Sequence, residues 1–279
     1  MQLITIGFSQ EKNHTDANPK IIMEKHLLID NVKIPMLGLG TWPMSGKECS
    51  DTVAAAINMG YRHLDTAQNY HNETEVGEGI RKSNTARDEL FIVTKASTRN
   101  LEPGLLARAA EESLGKLKID YIDLLLIHWP TADMILEETL DAMFRLREQG
   151  KIRHAGVSNF SPALFREALD QGPVICNQVE FSPYKKQEDN LAVAREFNVM
   201  ITAYTPLANG KVSRDIRLKE IGKSYEKSAA QVTLRWLLQL GNVSVIPKAS
   251  SIQHLKENLE IFDFELSRED IKKISEIRY

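Results

Sequence analysis

Two side chains suited to proton transfer stand close together in residues 60–73. Asp65 ends a short apolar run, and Tyr70 follows five residues later in a polar, turn-prone stretch that leads into a helical pattern. An acid at a strand end and a tyrosine in the loop beyond it suit acid/base chemistry, provided that a neighbouring charge shifts the pKa of the tyrosine. The rest of the chain has to supply that charge.

A lysine and a histidine at the ends of two later strand-like runs are the candidates. Lys95 and His128 each directly follow such a run. A lysine there is costly to desolvate and demands an anionic partner, which Asp65 can be. The Lys95 ammonium favours the phenolate and is therefore expected to lower the pKa of Tyr70. Tyr70 is then a proton donor to an oxygen that gains negative charge, with His128 placed to bind the same oxygen.

Lys95, Asp65 and His128 also have a purely structural explanation. A buried Lys95–Asp65 pair can be a core salt bridge, and an isolated buried histidine is more often a hydrogen-bonded core residue than a catalyst. Together the four groups form an acid/base site. Protonation of a developing alkoxide during hydride delivery to a carbonyl fits them, and it requires neither a metal nor a nucleophile.

The elements that must position these groups alternate between strands and helices. Short apolar runs predict strands at residues 36–40, 61–64, 90–93, 121–127, 152–157, 174–179, 199–203 and 243–246. Three-to-four spacing of apolar residues predicts helices at residues 47–59, 73–82, 105–118, 135–149, 161–171, 187–197, 216–225 and 228–240. This alternation is typical of an α/β protein with a (β/α)₈ TIM barrel.

An open doubly wound sheet is the alternative fold. It usually carries G-x-G-x-x-G after its first strand, but residues 38–43 read GLGTWP and lack the third glycine. An N-terminal β-hairpin, turning at Asp30 and Asn31, is expected to close the bottom of the barrel. We expect residues 23–279 to form one barrel domain and residues 1–22 to form a disordered extension.

Composition excludes several classes of partner. The chain of 279 residues has a net charge of −3, which gives no reason to expect nucleic acid or an anionic membrane surface. Its N-terminus lacks the long apolar stretch of a signal peptide or membrane anchor. Cys49 and Cys176 are far apart and fit no disulfide or zinc pattern. A cytoplasmic protein is expected.

The strand-end motifs resemble those of the aldo-keto reductases, NAD(P)H-dependent carbonyl reductases built on a (β/α)₈ barrel. The likeness extends from about residue 28 to about residue 266, with motifs at residues 38–42, 60–73, 92–95, 125–130, 156–160, 177–180, 203–207 and 245–251. The resemblance implies a catalytic tetrad made up of Asp65, Tyr70, Lys95 and His128. Tyr70 would be its general acid.

The resemblance also implies a site for NADP(H). Ser158, Asn159 and Gln178 would hydrogen-bond the nicotinamide carboxamide, and Tyr204 would stack on its ring. Lys248 would meet the 2′-phosphate. The further cofactor contacts that it implies are Gly40, Thr41, Trp42, Thr205, Pro206, Leu207, Ser250, Ser251, His254, Glu257 and Asn258, the last of these at the adenine.

Two positions in the adenosine-phosphate segment depart from the family pattern. Ala249 follows Lys248 where a serine is usual, and His254 replaces an arginine that grips the 2′-phosphate. A guanidinium has a permanent charge and a bidentate fork that imidazole lacks. NADPH is therefore expected to be preferred through Lys248, with a smaller margin over NADH than is usual.

Short loops predict an open substrate pocket. The C-terminus and the segment after Leu207 are both short, as in prokaryotic diketo-gluconate and methylglyoxal reductases. Trp42 and Trp129 would supply apolar walls, with Tyr70 and His128 at the carbonyl. Small or medium aldehydes and ketones are the expected substrates, and a monomer is the expected state.

Two other functions stay open at this point. A Schiff-base lyase on a similar barrel would use Lys95 as nucleophile, without needing Tyr70 or the Lys248 segment. A non-catalytic NADP(H)-binding regulatory subunit would keep the cofactor site alone. Borohydride trapping of a substrate on Lys95 would support the lyase, and consumption of NADPH with a carbonyl substrate would rule out the regulatory subunit.

Overall fold

The computed structural model describes residues 25–29 and 31–278. The predicted extension over residues 1–22 and the turn residue Asp30 lie outside the described residues. The described strands are β1 His26–Ile29, β2 Val32–Pro35, β3 Leu39–Gly40, β4 His63–Asp65, β5 Phe91–Ala96, β6 Ile122–Ile127, β7 Ile152–Ser158, β8 Val174–Glu180, β9 Met200–Tyr204 and β10 Val243–Val245. The described α-helices are α1 Gly46–Asn58, α2 Glu73–Lys82, α3 Pro103–Leu117, α4 Leu136–Glu148, α5 Pro162–Gln171, α6 Glu188–Glu196, α7 Ile216–Lys223, α8 Ala229–Gln239, α9 Ile252–Leu259 and α10 Arg268–Ser275.

Strands β3 to β10 form one parallel sheet in chain order, and the sheet closes on itself. Leu37, just before β3, bridges to Val245 of β10, and the amide of Gly38 donates to the Val245 carbonyl at 2.8 Å. A Cβ on Gly40 would stand 2.6 Å from the carbonyl oxygen of Ile246, so only glycine allows this close approach. The predicted (β/α)₈ barrel is confirmed.

The N-terminal hairpin covers the amino ends of the barrel strands. β1 and β2 pair antiparallel, with Ile29 opposite Val32. Ile29 and Ile34 are buried in one apolar cluster with barrel-interior residues such as Leu124 and Met200. The hairpin therefore closes the amino end of the barrel. A ligand site is expected at the opposite, carboxyl end.

Serine caps mark the starts of several helices. Ser228 caps α8 in a reciprocal capping box with Gln231, and Ser267 caps α10 by accepting from the Asp270 amide. Helix α9 was not among the predicted helices. The Ser251 hydroxyl caps it by accepting from the His254 amide at 3.1 Å. Across residues 25–29 and 31–278, the helices are all too short or too polar to cross a bilayer.

Candidate active site

Tyr70 is carried by a short 3₁₀ turn that follows β4. The turn spans Gln68–Tyr70 and ends at His71, which has a left-handed φ of 55°. The side-chain amide of Gln68 fixes this turn with two hydrogen bonds. Its Nε2 donates to the Ala109 carbonyl at 2.8 Å, and its Oε1 accepts from the Ser97 amide at 2.8 Å. Gln68 ties the tyrosine to α3 and to the end of β5, and this positioning role was not predicted from the sequence.

A second amide side chain fixes the loop after β3 against the same turn. Asn72 Nδ2 donates to the carbonyls of Thr41 and Met44 at 3.2 and 2.9 Å, and its Oδ1 accepts from Thr66 Oγ1 at 2.6 Å. Asn72 is fully buried. Because Trp42 lies between the two carbonyls that Asn72 holds, this contact sets where the Trp42 loop stands relative to Tyr70.

Asp65, Lys95 and Tyr70 form one hydrogen-bonded network. Lys95 Nζ donates to Asp65 Oδ1 at 2.5 Å, to the Thr66 carbonyl at 2.9 Å and to Tyr70 Oη at 3.3 Å. An ammonium has three hydrogens, so these partners use all of them. Lys95 and Asp65 are only 1% and 2% exposed. The charge pair is therefore shielded from water and is held in a single arrangement.

The net shift of the Tyr70 pKa differs from the prediction. Burial raises the pKa of Tyr70 above its ordinary value, and the Lys95 ammonium offsets this only in part. Lys95 does act to lower the Tyr70 pKa, as expected, but desolvation of the phenolate outweighs it and the net shift is upward. Burial also opposes the charge on Lys95, but Asp65 outweighs it and raises the pKa of Lys95. At neutral pH the lysine is charged and the phenol keeps its proton.

His128 stands beside Tyr70 at the end of β6. The two rings meet edge to face, with centroids 5.7 Å apart. Burial, with a further contribution from the Lys95 charge, lowers the pKa of His128 to about 4. Asn69 Nδ2 lies 3.5 Å from Nδ1 of this ring, which favours the tautomer with its proton on Nε2. His128 is thus a neutral hydrogen-bond donor at neutral pH.

A direct titration checks this charge state. The His128 ring is expected to stay neutral as the pH falls from 8 to about 5, because its pKa of about 4 lies well below the ordinary value of 6.5. Its ring-proton resonance, assigned by comparison with His128→Gln, should therefore hold its shift through that range. A His128 midpoint near 6.5 would contradict the result.

Ser158, Asn159, Gln178 and Tyr204 come together at the ends of β7, β8 and β9. Ser158 Oγ donates to the Gln178 carbonyl at 2.8 Å, Asn159 Nδ2 donates to Ser158 Oγ at 3.0 Å, and Tyr204 Oη donates to Asn159 Oδ1 at 2.9 Å. Asn159 has φ 63°, a conformation that asparagine adopts more readily than most residues. The four residues expected to hold a nicotinamide are thus linked to one another.

A cavity of about 1140 Å³ extends from this cluster to Tyr70 on one side and to helix α9 on the other. Trp42 and Trp129, 57% and 48% exposed, form part of its wall. The predicted site residues that line the cavity are Gly40, Thr41, Trp42, Asp65, Tyr70, His128, Trp129, Ser158, Asn159, Gln178, Tyr204, Thr205, Pro206, Leu207, Lys248, His254, Glu257 and Asn258.

Three predicted residues do not line the cavity. Lys95 lies behind Asp65 and Tyr70, which it contacts. Ser250 Oγ accepts from Lys248 Nζ at 3.0 Å, and Ser251 caps α9. On that helix His254, Glu257 and Asn258 follow at three- and four-residue spacing and so share one face.

Three cavity-lining lysines, Lys219, Lys223 and Lys227, were missed by the sequence predictions. Lys219 and Lys223 lie one turn apart on α7, and neither forms an ion pair with a residue that the structure describes. Lys227, which also lines the cavity, is bound to Asp263 at 2.7 Å. The four-residue spacing of two lysines on a short helix was the available signal, but only the packing of α7 beside α8 shows which surface they face.

Comparison with known proteins agrees with this architecture. A sequence model described as "Aldo/keto reductase family" matches residues 36–278. Glyoxal reductase from Bacillus subtilis is 40% identical over 92% of this chain and 93% of its own length. Methylglyoxal reductase DkgB from Escherichia coli O157:H7 is 37% identical over 87% of this chain and 92% of its own. A crystal structure of an aldo/keto reductase from Brucella melitensis, 36% identical, superposes with a TM-score of 0.85 over 90% of this chain and 98% of that one. The chain belongs to the aldo/keto reductase family.

Proposed function

We propose that this protein is an NADPH-dependent reductase of small and medium aldehydes and ketones, with Tyr70 as general acid. The observation that carries the proposal is the contact of Lys95 Nζ with Tyr70 Oη at 3.3 Å, because Tyr70 lines a cavity together with the expected ligand-binding groups. Relatives named as glyoxal and methylglyoxal reductases support this substrate class. We further propose that residues 23–279 form one domain, which works as a cytoplasmic monomer.

The residues along the cavity fit NADP(H). Ser158, Asn159 and Gln178 present the hydroxyl and amide groups that a carboxamide can pair with, and Tyr204 supplies an aromatic face. Lys248 lies at the other end and is an exposed cation for a phosphate. The volume of about 1140 Å³ exceeds the roughly 300–1,000 Å³ of drug-sized ligand sites, which leaves room for a dinucleotide and a small carbonyl compound together. When bound, the cofactor supplies the hydride.

The chain's own residues handle the proton. Tyr70 is neutral and faces the cavity, so it can donate its proton to an oxygen that becomes an alkoxide. Lys95, fixed by Asp65, stabilises the phenolate that remains. His128 donates from Nε2 to the same oxygen and so orients the carbonyl. Neutral His128 leaves Tyr70 as the acid, because an imidazole with a pKa of about 4 carries no extra proton at pH 7.

The contacts of Lys95 argue against the lyase alternative. A Schiff-base nucleophile has to be an uncharged amine with access to substrate. Asp65 instead raises the pKa of Lys95, and the ammonium is buried with its three hydrogens in use. Nothing favours the regulatory-subunit alternative, since Tyr70, His128 and the cofactor-side groups share one cavity.

A substrate panel tests the proposed function. The purified protein is expected to consume NADPH, followed by its absorbance, when glyoxal, methylglyoxal or 4-nitrobenzaldehyde is added. Tight NADPH binding without turnover of any of the three compounds would instead support the regulatory subunit. Borohydride trapping of a carbonyl compound on Lys95 would support the lyase.

Removal of the Lys248 charge is expected to weaken NADPH selectively. Lys248→Ala should raise the Kd of NADPH about tenfold, near the lower end for a hydrogen bond to a charged group, because Lys248 is exposed. The Kd of NADH, which has no 2′-phosphate, should change less than twofold. Fluorescence titration measures both, with Lys256→Ala on α9 as a control at an exposed lysine that does not line the cavity. Equal losses for the two cofactors would rule out the 2′-phosphate assignment.

A further inference from the structure

Gln178 makes a contact that cofactor binding does not explain. Its Nε2 donates to Asp65 Oδ2 at 2.7 Å, and the two side chains are 1% and 2% exposed. In the closed barrel β8 stands opposite β4, with three strands between them on either side. The hydrogen bond therefore crosses the barrel interior and joins residues 113 positions apart in the chain.

This bond completes the coordination of Asp65. Lys95 occupies Oδ1 and Gln178 occupies Oδ2. Because a carboxylate can only accept, the nitrogen end of the Gln178 amide must face Asp65, and its Oε1 stays available to a ligand in the cavity that Gln178 lines. The Gln178 amide thus bonds Asp65 through its nitrogen and can bond the nicotinamide carboxamide through its oxygen.

We propose that Gln178 is a positioning residue for proton transfer, which holds the Asp65 carboxylate so that Lys95 stays aligned with Tyr70. This inference rests on the proposed reductase function and assigns Gln178 a second task within it. Without the amide donor, the carboxylate has no second partner to fix its rotation. Lys95 Nζ, already 3.3 Å from Tyr70 Oη, would then follow the carboxylate away from the tyrosine.

Several titratable side chains surround this contact. The Gln178→Glu variant described below adds one more. From β4, β5, the Tyr70 turn and β6, the groups are His63, Asp65, Lys95, Tyr70 and His128. Burial lowers the pKa of His63, and it lowers that of His128 to about 4, so the His128 ring is neutral at pH 6 and above. From β8 and β9, Cys176 and Tyr204 have pKa values raised by burial to about 12, and Glu180 is paired with Lys185 at 2.7 Å.

Gln178→Glu separates positioning from cofactor binding because the two roles predict opposite pH trends. A protonated carboxyl group can still donate to Asp65, whereas an ionised one repels it and adds negative charge beside Lys95 and Tyr70. Either form can accept from a carboxamide N–H. The measured quantity is kcat with 4-nitrobenzaldehyde and saturating NADPH at pH 6 and pH 9. We expect the ratio of kcat at pH 6 to kcat at pH 9 to be at least tenfold larger for Gln178→Glu than for the wild type.

Gln178→Leu provides the second measurement. It removes the donor at every pH, so its kcat should be about tenfold below that of Gln178→Glu at pH 6, with a profile parallel to the wild type. Ser158→Ala is the matched control for the cofactor side, since it should raise the KM for NADPH and keep the wild-type shape of the pH profile.

Two results would overturn the inference. One is a Gln178→Glu enzyme whose kcat follows the wild type up to pH 9, and the other is a Gln178→Leu enzyme that loses only NADPH affinity. Failure of the proposed function is distinguishable, because the wild type itself would then show no turnover. Circular dichroism of each variant at pH 6 and pH 9 confirms that the comparison is between folded proteins.

Discussion

Replacement of Tyr70 by phenylalanine is expected to lower kcat for carbonyl reduction by about 10²- to 10⁴-fold, the usual contribution of a general acid. The ring, its edge-to-face contact with His128 and its turn are retained, so only the donor hydroxyl is lost. The Kd of NADPH should stay within about twofold of the wild-type value. Steady-state kinetics with methylglyoxal and fluorescence titration of NADPH measure the two quantities.

Tyr204→Phe is the matched control for this variant. Tyr204 lines the same cavity, but its hydroxyl donates to Asn159 and is not bonded to Lys95. Loss of that hydroxyl should act mainly on NADPH affinity. A Tyr70→Phe enzyme that retains wild-type kcat would refute the assignment of Tyr70 as proton donor.

Replacement of Lys95 by methionine should cost both stability and activity. It leaves the Asp65 carboxylate buried without its counter-ion, and removal of one partner from a buried pair typically costs about 3–5 kcal/mol of unfolding free energy. The kcat should fall at least 100-fold, because no cation then stabilises the Tyr70 phenolate. Urea unfolding at pH 7 measures the first effect, and steady-state kinetics measure the second.

A double variant separates these two effects. Lys95→Met combined with Asp65→Asn removes both charges, so most of the lost stability should return. Activity should not return, because the ammonium is still absent. Lys272→Met, at an exposed lysine of α10, should change the unfolding free energy by no more than about 1 kcal/mol. Recovery of kcat in the double variant would contradict the role proposed for Lys95.

Much of the architecture was predictable because its signals are local. Alternating apolar runs and amphipathic segments depend on neighbours within a few residues, and they placed eight barrel strands and most of the helices. Helix α9 was missed, although α7, which is equally short, was predicted. The polar residue that ends each strand also predicted which side chains would meet, since parallel strands bring their carboxyl ends to one face.

The sequence by itself determined the barrel and the set of polar residues at its mouth, including Asp65, Tyr70, Lys95 and His128. Only the tertiary structure decided how those groups are partnered and charged. Gln178 meets Asp65 across the barrel from a distant part of the chain, and burial, rather than the Lys95 charge, sets the direction of the Tyr70 pKa shift. The physical reason is that desolvation and side-chain contacts depend on every element packed around a group, whereas a motif records only its neighbours along the chain.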